Sequence, residues 1–467
     1  MVRSDGRRAS LRGMALFAMA VLMGCAPGKP YEGPRFPFMS SYRAAHSGAP
    51  VLLSNAEWWK RFKDPVLDQV VTLALKDNLS LAIARERVIE ARAELRQVPG
   101  AAVLSPSVGV TAEGTGSSGP DGTGTARLGL SWMLDPYGAK REQLKAAGAR
   151  AEAADAERDA AQLLVLYNVA NAYVDLRYRQ RVLQLRRQEL DSRQQTLALT
   201  RRMAEANSAT RLDTTRSQAR VAEIQSQLPE LEAAITAKKN EIAVLSGAAP
   251  GTLPINLDAG GGQPRPDLAP DMGIPADLLR NRPDIKIAER RYYAALSDIG
   301  VAQARLYPSL SLTGEITLNA LKGGRSGSEY FFGPTISFPS LPTGSTRAAV
   351  DARISQAKQA HATWKSTVLT AILEVENALL DYRAVSESLQ AASRATKLYS
   401  EARDLTQEVF RREDATLGDL IDAEQAVAQS QDALAEARLR QAQSFVALNV
   451  RLGSGNSAGL GGAAPAE

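Results

Sequence analysis

The chain repeats itself at a fixed spacing of 206 residues, and that duplication limits its fold more than any other feature. Leu130-Ser131-Trp132 returns as Ile336-Ser337-Phe338, Gly138 as Gly344, and Arg141 as Arg347. Asn171-Ala172 returns as Asn377-Ala378, and Asp175-Leu176-Arg177 as Asp381-Tyr382-Arg383. Ala209-Thr210, Asp213 and Gly247 map onto Ala415-Thr416, Asp419 and Gly453. One ungapped spacing held from Leu130 to Gly247 marks a duplicated structural unit. Upstream the spacing slips, with Ser105-Pro106-Ser107 answering Tyr307-Pro308-Ser309 and Ile83-Ala84 answering Ile287-Ala288. Such slips belong at element ends and loops, where insertions are tolerated.

Each unit has the same order. A helix comes first, about Pro65–Gln97 and about Arg282–Leu306, broken near a proline. Two strands follow, joined by a Gly/Ser-rich loop at Gly114–Gly124 and at Lys322–Ser328. Val108 and Val110 alternate with Gly109 and Thr111, and Leu128, Leu130 and Trp132 with Gly129 and Ser131. Leu310, Leu312, Ile316 and Leu318 repeat the pattern in the second unit. Alternation of apolar with small or polar residues over about ten positions suits a membrane barrel strand. It suits an ordinary half-buried hairpin equally well.

The helices decide between the two. Lys140 to Ser246 contains one glycine, Gly148, and one proline, Pro229; Ser345 to Leu452 contains only Gly418. Val169, Leu176, Leu183, Leu190, Leu197 and Ala204 recur every seventh residue. In the second unit the stripe is Trp364, Val368, Ala371, Val375, Ala378, Tyr382, Val385, Leu389, Ala392. Steps of four and three make a coiled-coil seam. A helix from Lys140 to about Met203 is ~95 Å long at ~1.5 Å per residue, a length suited to crossing the periplasm. Asn207-Ser208 and Glu413–Gly418 are expected to turn each long helix back on itself.

Four strands cannot close a barrel, and lipid cannot satisfy an open sheet edge. Outer-membrane barrels need at least about eight strands. Several copies must therefore share one barrel: three would supply twelve strands, and the duplication would give the ring approximate six-fold symmetry. The fold class expected is mainly α with a small membrane β part.

The N-terminus reads as a targeting segment, with Arg7, Arg8 and Arg12 before the apolar run Met14–Met23. Cys25 is the only cysteine, so no internal disulfide can form. Leu22-Met23-Gly24-Cys25 resembles a bacterial lipobox, in which the thiol is lipidated; Met23 stands where a small residue is usual. Ala26 rather than Asp after the cysteine implies outer-membrane sorting, and Pro27, Pro30, Pro34 and Pro37 make an extended tether. Without residues 1–24 the chain has 52 basic and 50 acidic side chains, which removes the case for nucleic-acid binding. The expected organisation is 1–24 signal peptide, 25–56 lipidated tether, 57–247 first repeat, 248–275 Pro/Gly-rich linker, 276–453 second repeat and 454–467 tail.

The chain resembles the TolC-like outer-membrane efflux proteins, in the lipidated branch that partners RND-type drug pumps. The matching segments are Trp58–Asn78, Ile274–Ile299, Ala302–Thr313, Leu373–Tyr382 and Leu417–Ala423, with Arg280-Asn281-Arg282-Pro283-Asp284-Ile285 the most specific. The resemblance implies a homotrimeric outer-membrane duct, a trimeric twelve-stranded outer-membrane β-barrel continuous with a long periplasmic α-helical coiled-coil barrel, together with a periplasmic adaptor protein, an inner-membrane RND-type transporter and passive export of drugs or other small molecules. It places the constriction at the hairpin tips, with Asp419 and Asp422 ringing the aperture and Leu212, Asp213, Leu417 and Leu420 contacting the adaptor. Three residues apart, the two aspartates share a helical face, where a carboxylate ring selects cations. An ordinary solvated pair of tip charges is the alternative. Thr214, Glu413 and Gly418 depart from the family pattern at the tips.

The residues offer little for chemistry. No Cys/His metal spacing, nucleophile elbow or phosphate loop occurs, so neither catalysis nor a cofactor is expected beyond the lipid on Cys25. His361 falls on the seam between Ala357 and Trp364 and reads as a packed side chain, and the other histidine is His46. A type I protein-secretion channel would share the architecture. A pore-free coiled-coil lipoprotein would have no use for the duplicated strands.

Overall fold

The structure is a computed structural model. It describes residues 57–98, 100, 102–113, 121–206, 208–260, 262–266, 282–321, 326–339, 341–412 and 414–455. The expected signal peptide, the tether with Cys25, His46, Asn207, Glu413, residues 267–281 and tail positions 456–467 lie outside the described residues.

A short 3-10 turn, Trp58–Phe62, precedes α1 (Pro65–Asp77) and α2 (Leu79–Gln97). Then come β1 (Ala102–Glu113), β2 (Asp121–Leu134), α3 (Ala139–Glu205) and α4 (Arg211–Leu245). The second repeat supplies α5 (Pro283–Ala304), β3 (Ser309–Leu321), β4 (Gly327–Ser337), α6 (Gly344–Arg411) and α7 (Leu417–Arg451). α3 has 67 residues and α6 has 68, so each is ~100 Å long at ~1.5 Å per residue. Pro229 sits inside α4 without ending it.

Contacts divide the chain into two compact units. The first holds the described parts of Arg87–Asp155 and Ile287–Ser366, including all four strands. Its sheet is an antiparallel meander in the order β1-β2-β3-β4. Beside the strands, Tyr137 stacks on Tyr307 at 4.6 Å between ring centroids. His361 lies between Tyr292 (5.1 Å) and Trp364 (5.8 Å), the packed histidine that its seam position foretold.

The second unit holds the described parts of Pro37–Glu86, Ala156–Lys286 and Thr367–Glu467. Its core gathers Trp58, Leu67, Val70, Val169, Tyr173, Leu176, Ile242 and Phe445. Phe445 receives the edges of Trp58 and Phe62 at 6.2 and 5.3 Å. Each such side chain contributes about 1.5–3 kcal/mol on burial. The heptad stripe of α3 is fully buried at Val169 and Leu176, then only half-buried at Leu183 and Leu190. The α6 stripe behaves alike, with Val368, Ala371 and Val375 buried and Val385, Leu389 and Ala392 half-buried.

The duplication extends to individual hydrogen bonds. Thr210 and Thr416 are N-caps of α4 and α7, each closing a capping box with the aspartate three residues on. At the other ends, the N–H of Ala248 donates to Ala243 O (2.9 Å) and that of Ser454 to Asn449 O (3.0 Å). These are matching Schellman ends, with Gly247 at φ 76° and Gly453 at φ 77°. A Cβ at Gly247 would come within 2.2 Å of Asp77 O, so the duplicated glycine is also a close approach to α1.

Several boundaries differ from the sequence expectation. The break in the first helix falls at Asn78, not at a proline. Its Oδ1 accepts from the Leu81 N–H (3.1 Å), and its Nδ2 donates to Leu245 O (2.7 Å), so one side chain starts α2 and closes α4. The first strand connection is shorter than Gly114–Gly124, because Gly122 and Gly124 pair with Ala112 and Val110 in the ladder. Gly418 lies inside α7 rather than in the turn, since the Thr416 cap starts the helix at Leu417. The first part of the 248–275 linker is packed rather than free. The buried Arg177 guanidinium donates to Leu257 O (3.3 Å), Ala259 O and Tyr173 Oη.

Candidate functional site

The register of the sheet gathers most of its apolar residues on one face, while Val103, Met133 and Phe331 share the other with the polar ones. On one face lie rows of directly paired residues: Ala102, Trp132, Leu312 and Pro334; then Leu104, Leu130, Gly314 and Phe332. Pro106, Leu128, Ile316 and Tyr330 form the next row, with Leu134, Leu310 and Ile336 beside the first. On the other face, Ser107 pairs with Arg127, Arg127 with Thr317 and Thr317 with Glu329. Ser131 there adjoins Thr313, and Gly129 adjoins Glu315. Thr313 and Thr335 hydroxyls lie 2.9 Å apart, and Thr317 donates to Glu315 (2.9 Å).

Among the described residues nothing covers the apolar face. Val108 is 81% exposed, Tyr330 87% and Leu104 61%. Soluble proteins rarely leave such a contiguous patch open. Strands of 11–14 residues match the ~9–11 residues a tilted strand needs to cross a bilayer. No described helix is long and apolar enough to cross a membrane. β1 and β4 each have one partner strand, leaving two open edges. Both carry a proline, Pro106 and Pro334, as edge strands permit.

Two of the aspartates that the sequence singled out, Asp213 and Asp419, lie in the first turns of α4 and α7. The Asp419 carboxylate turns back on its own cap, accepting from the Thr416 N–H (2.8 Å) and hydroxyl (2.6 Å). Asp213 does the same with Thr210, at 3.0 and 2.6 Å. Both carboxyls are held below the usual carboxylate range, first by the threonine hydroxyl and then by its backbone N–H. Asp422 is exposed, one turn further along α7. Leu212 is 56% exposed and Leu417 half-buried, whereas Leu420 is buried and presents no surface to a partner. Thr214 bonds back weakly to Thr210 O at 3.4 Å. At Gly418 an added Cβ would meet only Thr416 Oγ1 at 3.4 Å, so the helix has room there for a larger residue.

Above the tips of the helical unit, a buried charge cluster joins α3 to α7. Arg193 donates to Glu424 at 2.7 Å and lies 3.6 Å from Glu189. Glu424 also accepts from Ser192 (3.1 Å) and Thr196 (3.2 Å). Arg186 bridges Glu189 (3.0 Å) and Asp432. The sequence reading passed over this cluster because its partners lie more than 200 residues apart. The capping boxes it could have caught, since Thr-x-x-Asp before a helical run is their local signature. Among the described residues no group of acidic, histidine or cysteine side chains is arranged to hold a metal ion.

The profile of the outer membrane efflux protein family matches residues 70–248 and 274–454, one segment for each repeat. The chain belongs to this family. It is 35% identical over 457 residues to Nodulation protein T of Rhizobium leguminosarum bv. viciae, spanning 96% of this chain and 94% of the relative. It is 27% identical to the pyoverdine export outer membrane protein OpmQ of Pseudomonas aeruginosa, over 96% and 97% of the two chains. Among solved structures, the outer-membrane channel OprN superposes with a TM-score of 0.84 at 30% identity, covering 92% of this chain and 99% of that one. The protein is an outer-membrane efflux channel, a passive duct and not an enzyme.

Membership explains the specific Arg-Pro-Asp motif. Arg282, almost fully buried, donates to Asp284 (2.6 Å), Glu374 (2.8 Å) and Arg451 O (2.8 Å). The motif ties the start of the second repeat to the last turn of α7. Its contacts within this chain are structural.

Proposed function

We propose that three copies of this efflux channel share one twelve-stranded barrel, with the apolar face toward lipid and the Ser107–Arg127–Thr317–Glu329 face toward the lumen. The observation that carries this reading is the two-faced sheet with open edges at β1 and β4. An open edge in hydrocarbon leaves backbone groups unpaired at several kcal/mol each, and a ring of copies removes every edge. Energy for export comes from an inner-membrane RND-type transporter, coupled through a periplasmic adaptor that meets the tips at Leu212 and Leu417. Cys25 carries the lipid anchor. The cargo is small organic molecules, the class to which pyoverdine, exported by the relative OpmQ, belongs.

The decisive experiment purifies the protein in detergent, measures its mass and reconstitutes it in planar bilayers. A mass of three chains and discrete single-channel currents are expected. A monomer, or a trimer silent under every condition, would overturn the proposal. At the aperture, Asp422→Ala should raise conductance and relieve block by multivalent cations more than Asp419→Ala does, because Asp419 is held by its cap. Unchanged block in both variants would put the constriction elsewhere. Cys25→Ser should abolish metabolic labelling with palmitate; persistent labelling would move the anchor.

A further inference from the structure

A cavity of about 540 Å³ in the helical unit stands apart from the sheet and the tips. Its walls are the turn from Phe62 to Pro65, α3 at Arg181 and Gln184, the inter-repeat segment from Gly260 to Arg265, and α7 at Arg438. Three guanidinium groups line it, those of Arg181, Arg265 and Arg438.

Among the described residues its one acidic wall residue, Asp64, is already hydrogen-bonded. Asp64 Oδ1 accepts from the backbone N–H groups of Val66 (3.0 Å) and Leu67 (3.3 Å), and Oδ2 accepts from the Tyr173 hydroxyl (2.7 Å). Arg181 donates to the neutral Gln184 amide at 2.8 Å. Nearby acids are committed to other cations: Glu436 to Arg440, Asp432 to Arg186, and Asp258 to Lys239. Burial, then Arg265, then Arg181 disfavour the charged form of Arg438, and no carboxylate among the described residues offsets them. Like charges brought together in a partly desolvated wall are unfavourable unless an anion joins them.

A second observation lies in the same wall. Gln263 Nε2 donates to Ala435 O at 2.7 Å, fixing the side chain, while Gln263 Oε1 is buried with no donor. A bound group with both an anionic oxygen and a hydroxyl would satisfy the guanidinium groups and this oxygen at once. The cavity has room for several such groups, more than a single halide ion needs.

We propose that this cavity binds a soluble polyvalent oxyanion, a phosphate or carboxylate compound, through Arg181, Arg265 and Arg438. Binding clamps the inter-repeat segment against α3 and α7. Arginine suits the task because its planar fork meets either oxyanion with two parallel hydrogen bonds.

The test is calorimetric titration of the purified full-length channel in detergent at low salt with pyrophosphate in one arm and citrate in the other. Sodium chloride at matched ionic strength is the reference. Saturable binding with one site per chain is expected for at least one probe, weakening as salt is raised. The arm that binds more tightly identifies phosphate or carboxylate as the source. Arg438→Gln and Arg265→Gln should each weaken binding by about tenfold, the loss of one hydrogen-bonded charge, with single-channel conductance unchanged. Arg265 lies on an exposed segment, so its variant keeps the test sound if Arg438→Gln folds poorly. No saturable binding of either probe overturns the proposal, as does binding retained within twofold in both variants. Failure of Arg438→Gln to assemble, together with no binding by the parent, would assign the arginines to acids of a neighbouring copy and also overturn it.

Discussion

Replacing Arg193 by methionine tests what holds α3 against α7. The guanidinium is 5% exposed and donates to Glu424, whose side chain is 9% exposed. Breaking a buried pair from one side leaves a buried charge uncompensated and costs about 3–5 kcal/mol. Here Glu424 keeps two hydroxyl donors, Ser192 and Thr196, which together offset about 1–2 kcal/mol of that cost. The expected loss for Arg193→Met is therefore about 2–3 kcal/mol. Glu424→Gln keeps the hydroxyl contacts and leaves Arg193 with Glu189 at 3.6 Å, so about 1–2 kcal/mol is expected from the lost charged bond. The double variant Arg193→Met/Glu424→Gln should lose less than the sum of the two single variants, since neither buried charge is then left unpaired. Urea unfolding of the helical part, followed by circular dichroism in detergent, gives the three differences and the coupling between them. A loss below about 0.5 kcal/mol in Arg193→Met, or a coupling of zero, would refute this assignment, because neither is compatible with a buried, mutually dependent pair.

Four further outcomes follow from the geometry. Gly247→Ala should destabilise by more than about 1 kcal/mol, from a strained positive φ and the approach to Asp77 O, measured by the same unfolding curve. Leu130→Arg should impair assembly of the channel, at about 2–4 kcal/mol for a charge at mid-bilayer depth, whereas Thr313→Arg should assemble and change ion selectivity; equal effects would mean that the faces are misassigned. Thr416→Ala should weaken the α7 cap by about 1 kcal/mol, seen as faster amide exchange confined to the first turn of α7. The Asp213 and Asp419 carboxyls are depressed in the fold, so their capping is complete above the ordinary carboxylate pKa of about 3.9. It is lost only as pH falls through the lower folded value. Tip exchange rates corrected for intrinsic pH effects should thus stay flat from pH 7 to about 5 and rise only under stronger acid.

How much of this was legible in the residues depends on whether the cause is local. Helix extent was legible, because glycine and proline are nearly absent from Lys140–Ser246 and Ser345–Leu452. Strand alternation was legible too, and the ladder shows Leu128, Leu130 and Trp132 on one face with Leu312 and Ile316. The Asn78 break was not, since it depends on Leu245, 167 residues away. The packed first half of the linker was hidden for the same reason: Arg177 holds Leu257 O and Ala259 O across about 80 residues. At the tips, an acidic residue at a suitable position reads as a lining charge or as a cap. Only the hydrogen bond from Thr416 tells which.

The duplication copies backbone devices more faithfully than charges. Capping boxes, Schellman ends and the turn bonds Ser208 N–H to Met203 O and Asp414 N–H to Val409 O all recur at the same spacing. The α3–α7 cluster does not recur. At the repeat spacing, the counterparts of Arg193 and Glu424 are Tyr399 and Gln218, and those of Arg186 and Asp432 are Ala392 and Ser226. Asp422 likewise answers to Arg216. Geometry that builds a hairpin has to survive in both repeats, because each must bury the same apolar stripe. Charges that fasten one hairpin to another are needed only where a particular pair of helices has to stay together. The buried cluster thus adds to the α3–α7 pairing a fastening that the repeat-related helices lack. Movement that widens the tips should use helix pairs without such a cluster, and a disulfide across α3 and α7 beside Arg193 should leave conductance unchanged.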